Sequence, residues 1–297
     1  MFRPSATPRA RRPFPAWVAA LRAALFFTWL YSWSLPLLAV MVLAYPWVKR
    51  SDPQRRTFMH AVNALWARIS LWPFVRLEIR REEEEDGEGA GTDVSRKALN
   101  SGGLPPKTVP SSGSSPSKMA PIYVANHCSA LDILSLLIAV PGFKFVARSA
   151  TFRVPVLGWA MRLTGHVRLR RSDSRSHAKA LRTCRELLAV GAPVLFFPEG
   201  TRTRDGRLDA FKDGAFVAAA KAKAPIVPIT LTNTGGVMPP RKEWLLWPGT
   251  VHVTVHRPIE TAGKNAREIR DEARRVIADE IDRIARRRQE EEEEKEE

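Results

Sequence analysis

Residues 121–140 read PIYVANHCSALDILSLLIAV. The first part, from Pro121 to Asn126, is apolar, uncharged and rich in β-branched and aromatic residues, which predicts a buried strand. Residues 130–140, ALDILSLLIAV, are long and leucine-rich, which predicts a helix. Four polar or small residues, Asn126, His127, Cys128 and Ser129, sit at the joint. On a regular helix the five-residue step from His127 to Asp132 turns through about 500°, so the two side chains would stand apart. They meet only if His127 is on the loop and Asp132 on the helix. In that arrangement the carboxylate accepts the Nδ1 proton and leaves Nε2 free to act as a general base toward an alcohol. Taken alone, the pair equally suits a helix cap or a buried structural histidine.

The segments that follow alternate between the two periods. Strands are predicted at 143–147, 166–170, 193–197, 226–232 and 251–259, and helices at 156–164, 176–190 and 215–223. Such alternation implies an α/β sandwich built on a largely parallel or mixed sheet. Pro228 within the strand at 226–232 suits an edge or a strand end. The strand at 193–197 runs into Pro198, Glu199, Gly200, Thr201 and Arg202. There glycine permits close backbone approach, while the threonine hydroxyl, backbone N–H groups and Arg202 are donors suited to a phosphate. An ordinary polar turn reads the same way. Glu199 would repel a phosphate, so it is expected to hold the loop by accepting hydrogen bonds from backbone N–H groups or from Arg202.

Upstream, residues 25–48 carry no charge over more than the ~20 residues a bilayer core requires. This is read as a membrane-embedded helical segment, kinked or re-entrant at Pro36 and Pro46, with Trp and Tyr residues for the interface. Basic residues flank it on both sides and leave its orientation open. A helix with apolar residues Phe58, Val62, Leu65, Trp66 and Ile69 follows over 54–72, and a short strand over 74–79. Five segments are expected: a basic stretch at 1–24, whose acid-poor start also suits a short transit peptide; membrane and membrane-surface helices at 25–73; a disordered Glu, Gly, Ser and Pro-rich insertion at 82–118; a catalytic domain at 119–262; and an amphipathic helix with a fraying acidic tail at 263–297.

The chain has 297 residues and a formal net charge of +16. That balance calls for an acidic partner such as a phosphorylated substrate, an anionic lipid surface or nucleic acid. The apolar N-terminal region fits lipid, and no zinc-finger or aromatic RNA-binding signature is present, so nucleic acid is not expected. Two cysteines, Cys128 and Cys184, have no CxxC or metal spacing, so neither a disulfide framework nor a metal site is expected. Cys128 beside His127 raises the idea of a thiol nucleophile, but neighbours on extended backbone point to opposite sides. Ser129 is read as a helix cap, and His166 and His177 as surface or strand histidines.

Four blocks in order, NHCSALD (126–132), GHVRLRR (165–171), FPEGTR (197–202) and IVPIT (226–230), resemble those of the 1-acyl-glycerol-3-phosphate acyltransferases, also called lysophosphatidate acyltransferases. The stretches FKFVAR, VPVLGWAM, RRSDSRS and AFKDGAF are similar to plastid-type members of plants and algae. The insertion at 82–118 departs from the usual short connection. This resemblance implies a glycerolipid-acyltransferase-like αβ sandwich, with His127 as general base and Asp132 as its orienting partner. It places Arg171, Glu199, Gly200, Thr201 and Arg202 around the acceptor phosphate. It implies transfer from acyl-CoA or acyl carrier protein to the sn-2 hydroxyl of lysophosphatidate, without a further cofactor, at a plastid membrane or, alternatively, the endoplasmic reticulum. Another lysophospholipid or glycerol 3-phosphate is the alternative acceptor.

Overall fold

The structure, a computed structural model, describes residues 14–82, 119–140, 142–170, 173–203 and 207–296. The insertion expected to be disordered lies outside them from residue 83 to 118, as does Arg171.

Seven strands form one mixed sheet in the order β1-β7-β6-β2-β5-β3-β4. In chain order these are β1 (Arg76–Arg81), β2 (Ile122–Ala125), β3 (Lys144–Arg148), β4 (Val167–Leu169), β5 (Val194–Phe196), β6 (Ile226–Thr232) and β7 (Thr250–Val255). β6, β2, β5, β3 and β4 are mutually parallel, while β7 is antiparallel to β6 and parallel to β1. The strand before the long insertion is thus built into the same sheet as the strands after it. Pro228 is not at an edge, since β6 lies between β2 and β7. The β6–β7 register starts only at Ile229, and the Pro228 carbonyl accepts from His256 N–H, so the proline's missing donor falls where that ladder ends.

Helices cover both faces. On one lie α1 (Ala16–Ser51), α2 (Thr57–Leu71) and α3 (Leu131–Ala139), over a core that includes Phe26, Leu71, Tyr123, Leu136, Phe143, Leu195 and Val253. α4 (Leu157–Thr164) packs beside α1 and α2. α5 (Ser174–Ala189), α6 (Gly214–Ala222) and α8 (Ala266–Glu296) cover the other face, over Ile122, Val194, Phe216, Ile226 and Ile277. A single turn of helix, α7 (Thr234–Val237), follows β6. The apolar side of α8, with Ile269, Ala273 and Ile277 fully buried, is part of this second core. Beyond that packed stretch the helix continues to Glu296. Glutamate and lysine are strong helix formers, which suits that continuation.

α1 passes through Pro36 and Pro46 without a break and starts at Ala16, ahead of the uncharged run. Ala19, Ala23, Phe26, Leu30, Ser34, Leu38 and Met41 form a buried stripe at three- and four-residue steps, with Val48 seven residues on, facing the protein along most of the helix. The outer side exposes Trp17, Leu35, Leu43 and Trp47. The helix is long and apolar enough to cross a membrane. The helix is continuous across both prolines, so of the two forms expected from them the re-entrant one is not adopted.

Candidate active site

The chain leaves β2 toward α3 on one face of the sheet and leaves β5 toward α6 on the other. Adjacent parallel strands whose connections depart to opposite faces open a crevice at their carboxyl ends. The His127 loop and the Glu199 loop form the two lips of that crevice.

Asn126 makes the departure of the first loop possible. Its side-chain amide donates to the Leu231 carbonyl at 2.8 Å and accepts from Leu231 N–H at 2.7 Å. The amide thus imitates one more peptide of the β2–β6 ladder and frees the main chain to turn away. His127 lies on the loop and Asp132 in the first turn of α3. His127 Nδ1 is 2.7 Å from Asp132 Oδ2, and the same oxygen accepts from the backbone N–H groups of Cys128 at 2.7 Å and Ser129 at 2.8 Å. Asp132 is fully buried, and its Oδ1 has no hydrogen-bond partner among the described residues. Because Oδ2 can only accept, Nδ1 carries the proton and Nε2 has its lone pair, directed away from the carboxylate. The imidazole keeps 16% of its side-chain surface exposed, enough for a reactant to reach it.

Phe197, the first residue after β5, stacks on the His127 ring with centroids 4.0 Å apart and planes inclined by 15°. Phe145 stacks behind Phe197 at 6.1 Å. The ring of His127 is therefore fixed along its edge by Asp132 and across its plane by a phenyl group.

The second loop is held by Glu199, which is buried. Its Oε1 accepts from His127 N–H at 2.7 Å and its Oε2 from Asp209 N–H at 2.9 Å. Burial raises the carboxyl to about 7, against these two backbone donors, which favour the anion. Thr203 N–H returns a hydrogen bond to the His127 carbonyl at 2.9 Å, so the two loops are stitched in both directions. Gly200 closes a turn by donating its N–H to the Phe197 carbonyl and adopts φ +77°, a conformation a side chain would strain. Its own carbonyl accepts from Arg148 at the end of β3 at 3.0 Å. Thr201 is exposed at the crevice mouth. Arg202 does not reach Glu199; its Nη1 donates to Glu243 Oε1 at 2.6 Å.

The remaining candidates take structural places. Ser129 Oγ accepts from Leu131 N–H at 3.2 Å, a cap-like contact, and also donates to the Met238 carbonyl at 2.8 Å. The Cys128 thiol lies 3.4 Å from Thr203 Oγ, and burial pushes it up to about 12, so it stays protonated. His166 is half-buried just before β4: its Nδ1 accepts from Phe145 N–H, and burial drives the ring down to about 3. His127, Asp132, Glu199, Gly200 and Arg202 are thus gathered at one end of two neighbouring strands. Asn126, Phe197, Thr203, Arg148 and Glu243 were not singled out by residue type, because their contacts come from other strands.

Several known proteins are similar to this chain. An acyltransferase family model matches residues 108–232. A 1-acyl-sn-glycerol-3-phosphate acyltransferase of Chlamydomonas reinhardtii is 42% identical over 264 residues, covering 89% of this chain and 70% of the relative. A chloroplastic enzyme of the same name from Arabidopsis thaliana is 41% identical, covering 83% of this chain and 60% of the relative. A chloroplastic one from Brassica napus is 39% identical, covering 85% and 64%. The chain therefore spans about two thirds of the length of these relatives. The crystal structure of the 1-acyl-sn-glycerophosphate acyltransferase PlsC of Thermotoga maritima has the same fold, with a TM-score of 0.66 at 22% identity, over 89% of this chain and 96% of that one.

Proposed function

The chain belongs to the 1-acyl-sn-glycerol-3-phosphate acyltransferases, and on that premise we propose that it moves an acyl group from a thioester to the sn-2 hydroxyl of lysophosphatidate, giving phosphatidate. The observation that carries the chemistry is the His127–Asp132 pair at 2.7 Å, with Oδ2 also held by two backbone N–H groups. A secondary alcohol has a pKa far above 7, so its attack on a thioester needs proton removal as the C–O bond forms. His127 Nε2 takes that proton, and the oxygen adds to the thioester carbonyl carbon. The tetrahedral intermediate collapses with loss of the thiolate, which recovers the proton from the imidazolium. Asp132 stabilises the imidazolium between the two transfers, and the electron-rich face of Phe197 adds to that stabilisation.

Arg202, with Thr201, the Gly200 backbone and Arg171, is assigned to the acceptor phosphate; a guanidinium at the crevice mouth suits a phosphate ester. Glu199 acts on the loops, since it lies beneath them and accepts from both. Besides the outer side of α1, Phe58 and Leu65 of α2, Trp72 just after it, and Val154, Leu157 and Trp159 around α4 are exposed. We place this apolar surface in the lipid of a plastid membrane, a compartment supported by the chloroplastic relatives. The protein body then lies against the bilayer along α1, where the lysophosphatidate acyl chain is already dissolved. The positive charge favours an anionic surface and suits either thioester donor, since both carry phosphate; the chloroplastic relatives favour acyl carrier protein over acyl-CoA.

Labelled acyl-CoA and acyl carrier protein, each supplied with lysophosphatidate or glycerol 3-phosphate to membranes carrying wild type or His127→Ala, test this reading. Phosphatidate is expected from lysophosphatidate with wild type only. Equal turnover by a folded His127→Ala variant would remove the base assignment, and transfer to glycerol 3-phosphate alone would change the acceptor.

A further inference from the structure

We infer that Glu243 is a positioning residue of the acceptor site, holding the Arg202 guanidinium ready for the phosphate. This rests on the assignment of Arg202 to the lysophosphatidate phosphate. Arg202 stands at the mouth of the crevice with 35% of its side chain exposed, and the Glu243 contact is its only ion pair among the described residues. A free arginine there would sample many rotamers, and ordering it on substrate binding would cost up to about 2 kcal/mol of side-chain entropy. The 2.6 Å bond to Glu243 imposes that order in advance.

The geometry of the contact suits orientation better than blockade. Glu243 engages one nitrogen, Nη1, through one oxygen. A phosphate is gripped bidentately by two neighbouring guanidinium nitrogens, and the edge formed by Nε and Nη2 is left for it. Glu243 is itself fixed. Its Oε1 also accepts from Arg241 N–H at 3.3 Å, and Arg241 adopts φ +65°, a left-handed conformation that a non-glycine residue takes only at some cost. The loop is tied down at both ends. Met238 O accepts from Ser129 Oγ of the catalytic motif, and Leu246 N–H donates to the Ala19 carbonyl of α1. Within the loop Lys242 N–H donates to the Pro239 carbonyl and Leu245 N–H to the Lys242 carbonyl. A carboxylate mounted on so braced a loop fixes its arginine relative to His127. Exposed Arg241 and Lys242 on the same loop keep the mouth positive despite the carboxylate.

The test is steady-state kinetics of the full chain in lipid vesicles, with lysophosphatidate varied at saturating acyl donor and with glycerol 3-phosphate as a competitive inhibitor. Glu243→Ala is expected to raise KM for lysophosphatidate and Ki for glycerol 3-phosphate together, each about tenfold, the scale of one charge-assisted hydrogen bond. The KM for the acyl donor should stay unchanged and kcat should fall little, a split that general loss of structure does not produce. Glu243→Gln, whose amide oxygen still accepts from Nη1, should restore most of the affinity. A lowered KM in Glu243→Ala would mean that the carboxylate competes with phosphate and would overturn the inference, as would an unchanged KM or a glutamine variant as impaired as alanine. Arg202→Ala separates the two claims. No rise in KM there removes the phosphate reading itself, whereas a rise there with none in Glu243→Ala removes only the role of Glu243.

Discussion

Asp132→Asn is the substitution whose outcome the geometry of this site constrains most closely. An amide can occupy the carboxylate position in two orientations. If its NH2 replaces Oδ2, it confronts two backbone donors, Cys128 N–H and Ser129 N–H, at 2.7–2.8 Å, which leaves both orphaned and pressed against a third donor. If its oxygen replaces Oδ2, all three hydrogen bonds survive, and the NH2 takes the place of Oδ1, which has no partner among the described residues. The second orientation costs one buried unsatisfied donor, about 1–3 kcal/mol of stability, and the first costs two or more such groups. The oxygen therefore stays at Oδ2, Nδ1 keeps its proton, and Nε2 remains the base. What is lost is the negative charge that stabilises the imidazolium. A charge-assisted hydrogen bond is worth about 1.5–3 kcal/mol against roughly 1 for a neutral one, so the transition state loses about 1–2 kcal/mol. The expected fall in kcat is about 5-fold to 30-fold, with KM for both substrates little changed. A serine-protease triad, where the amide turns and reverses the tautomer, loses about 10⁴ from the same exchange. Initial rates of phosphatidate formation, with chemical denaturation to measure the stability cost, check the argument. A fall near 10⁴ would show that the backbone donors do not set the orientation. A fall of less than about threefold would show that the pair does not carry the proton transfer.

Three further outcomes follow from single contacts. Phe197→Leu removes the stack on His127 and should lower kcat by about 3-fold to 10-fold at unchanged KM, the worth of an aromatic pair; Phe197→Tyr should keep the rate, and equal losses in the two variants would refute the positioning role. Cys128→Ala should keep kcat within about twofold, because the thiol is held protonated and a base at His127 needs no acyl-enzyme; a fall of about 10²-fold or more would restore the thiol nucleophile. Glu280 is buried under donors from Arg80, Thr254 and Arg283, and although burial alone would raise its carboxyl, those hydrogen bonds and charges hold it down to about 2. A depressed acid stabilises the fold above its ordinary value of 4.5, and that contribution disappears as pH falls through about 2. Glu280→Gln should therefore cost roughly 2 kcal/mol at pH 7, after allowance for solvent screening at Arg80, and close to nothing near pH 2; a pH-independent difference in denaturation would refute the linkage.

The sequence by itself determined the elements that local periodicity encodes. The change of period across residues 121–140 placed His127 on a loop and Asp132 on a helix, the one arrangement in which a five-residue step lets them meet. The same reading found the two crevice loops and gave Glu199 its place beneath them, since a carboxylate beside a phosphate needs another employment. It also produced expectations that tertiary packing replaced. Prolines in α1 left a re-entrant element open, yet the helix runs on through both, its buried stripe facing the protein body. Pro228 suggested an edge, yet it lies within the sheet at the point where one ladder has ended. Only the folded chain decided the partners that depend on strand order. β5 lies between β2 and β3 although it comes later in the chain, and this insertion alone brings Phe197 onto His127, Thr203 onto the His127 carbonyl and Arg148 onto Gly200. The exchange of Glu199 for Glu243 as the partner of Arg202 has the same origin. No periodicity in one segment can report a neighbour that is supplied by another, because such contacts are set by how the layers close on each other.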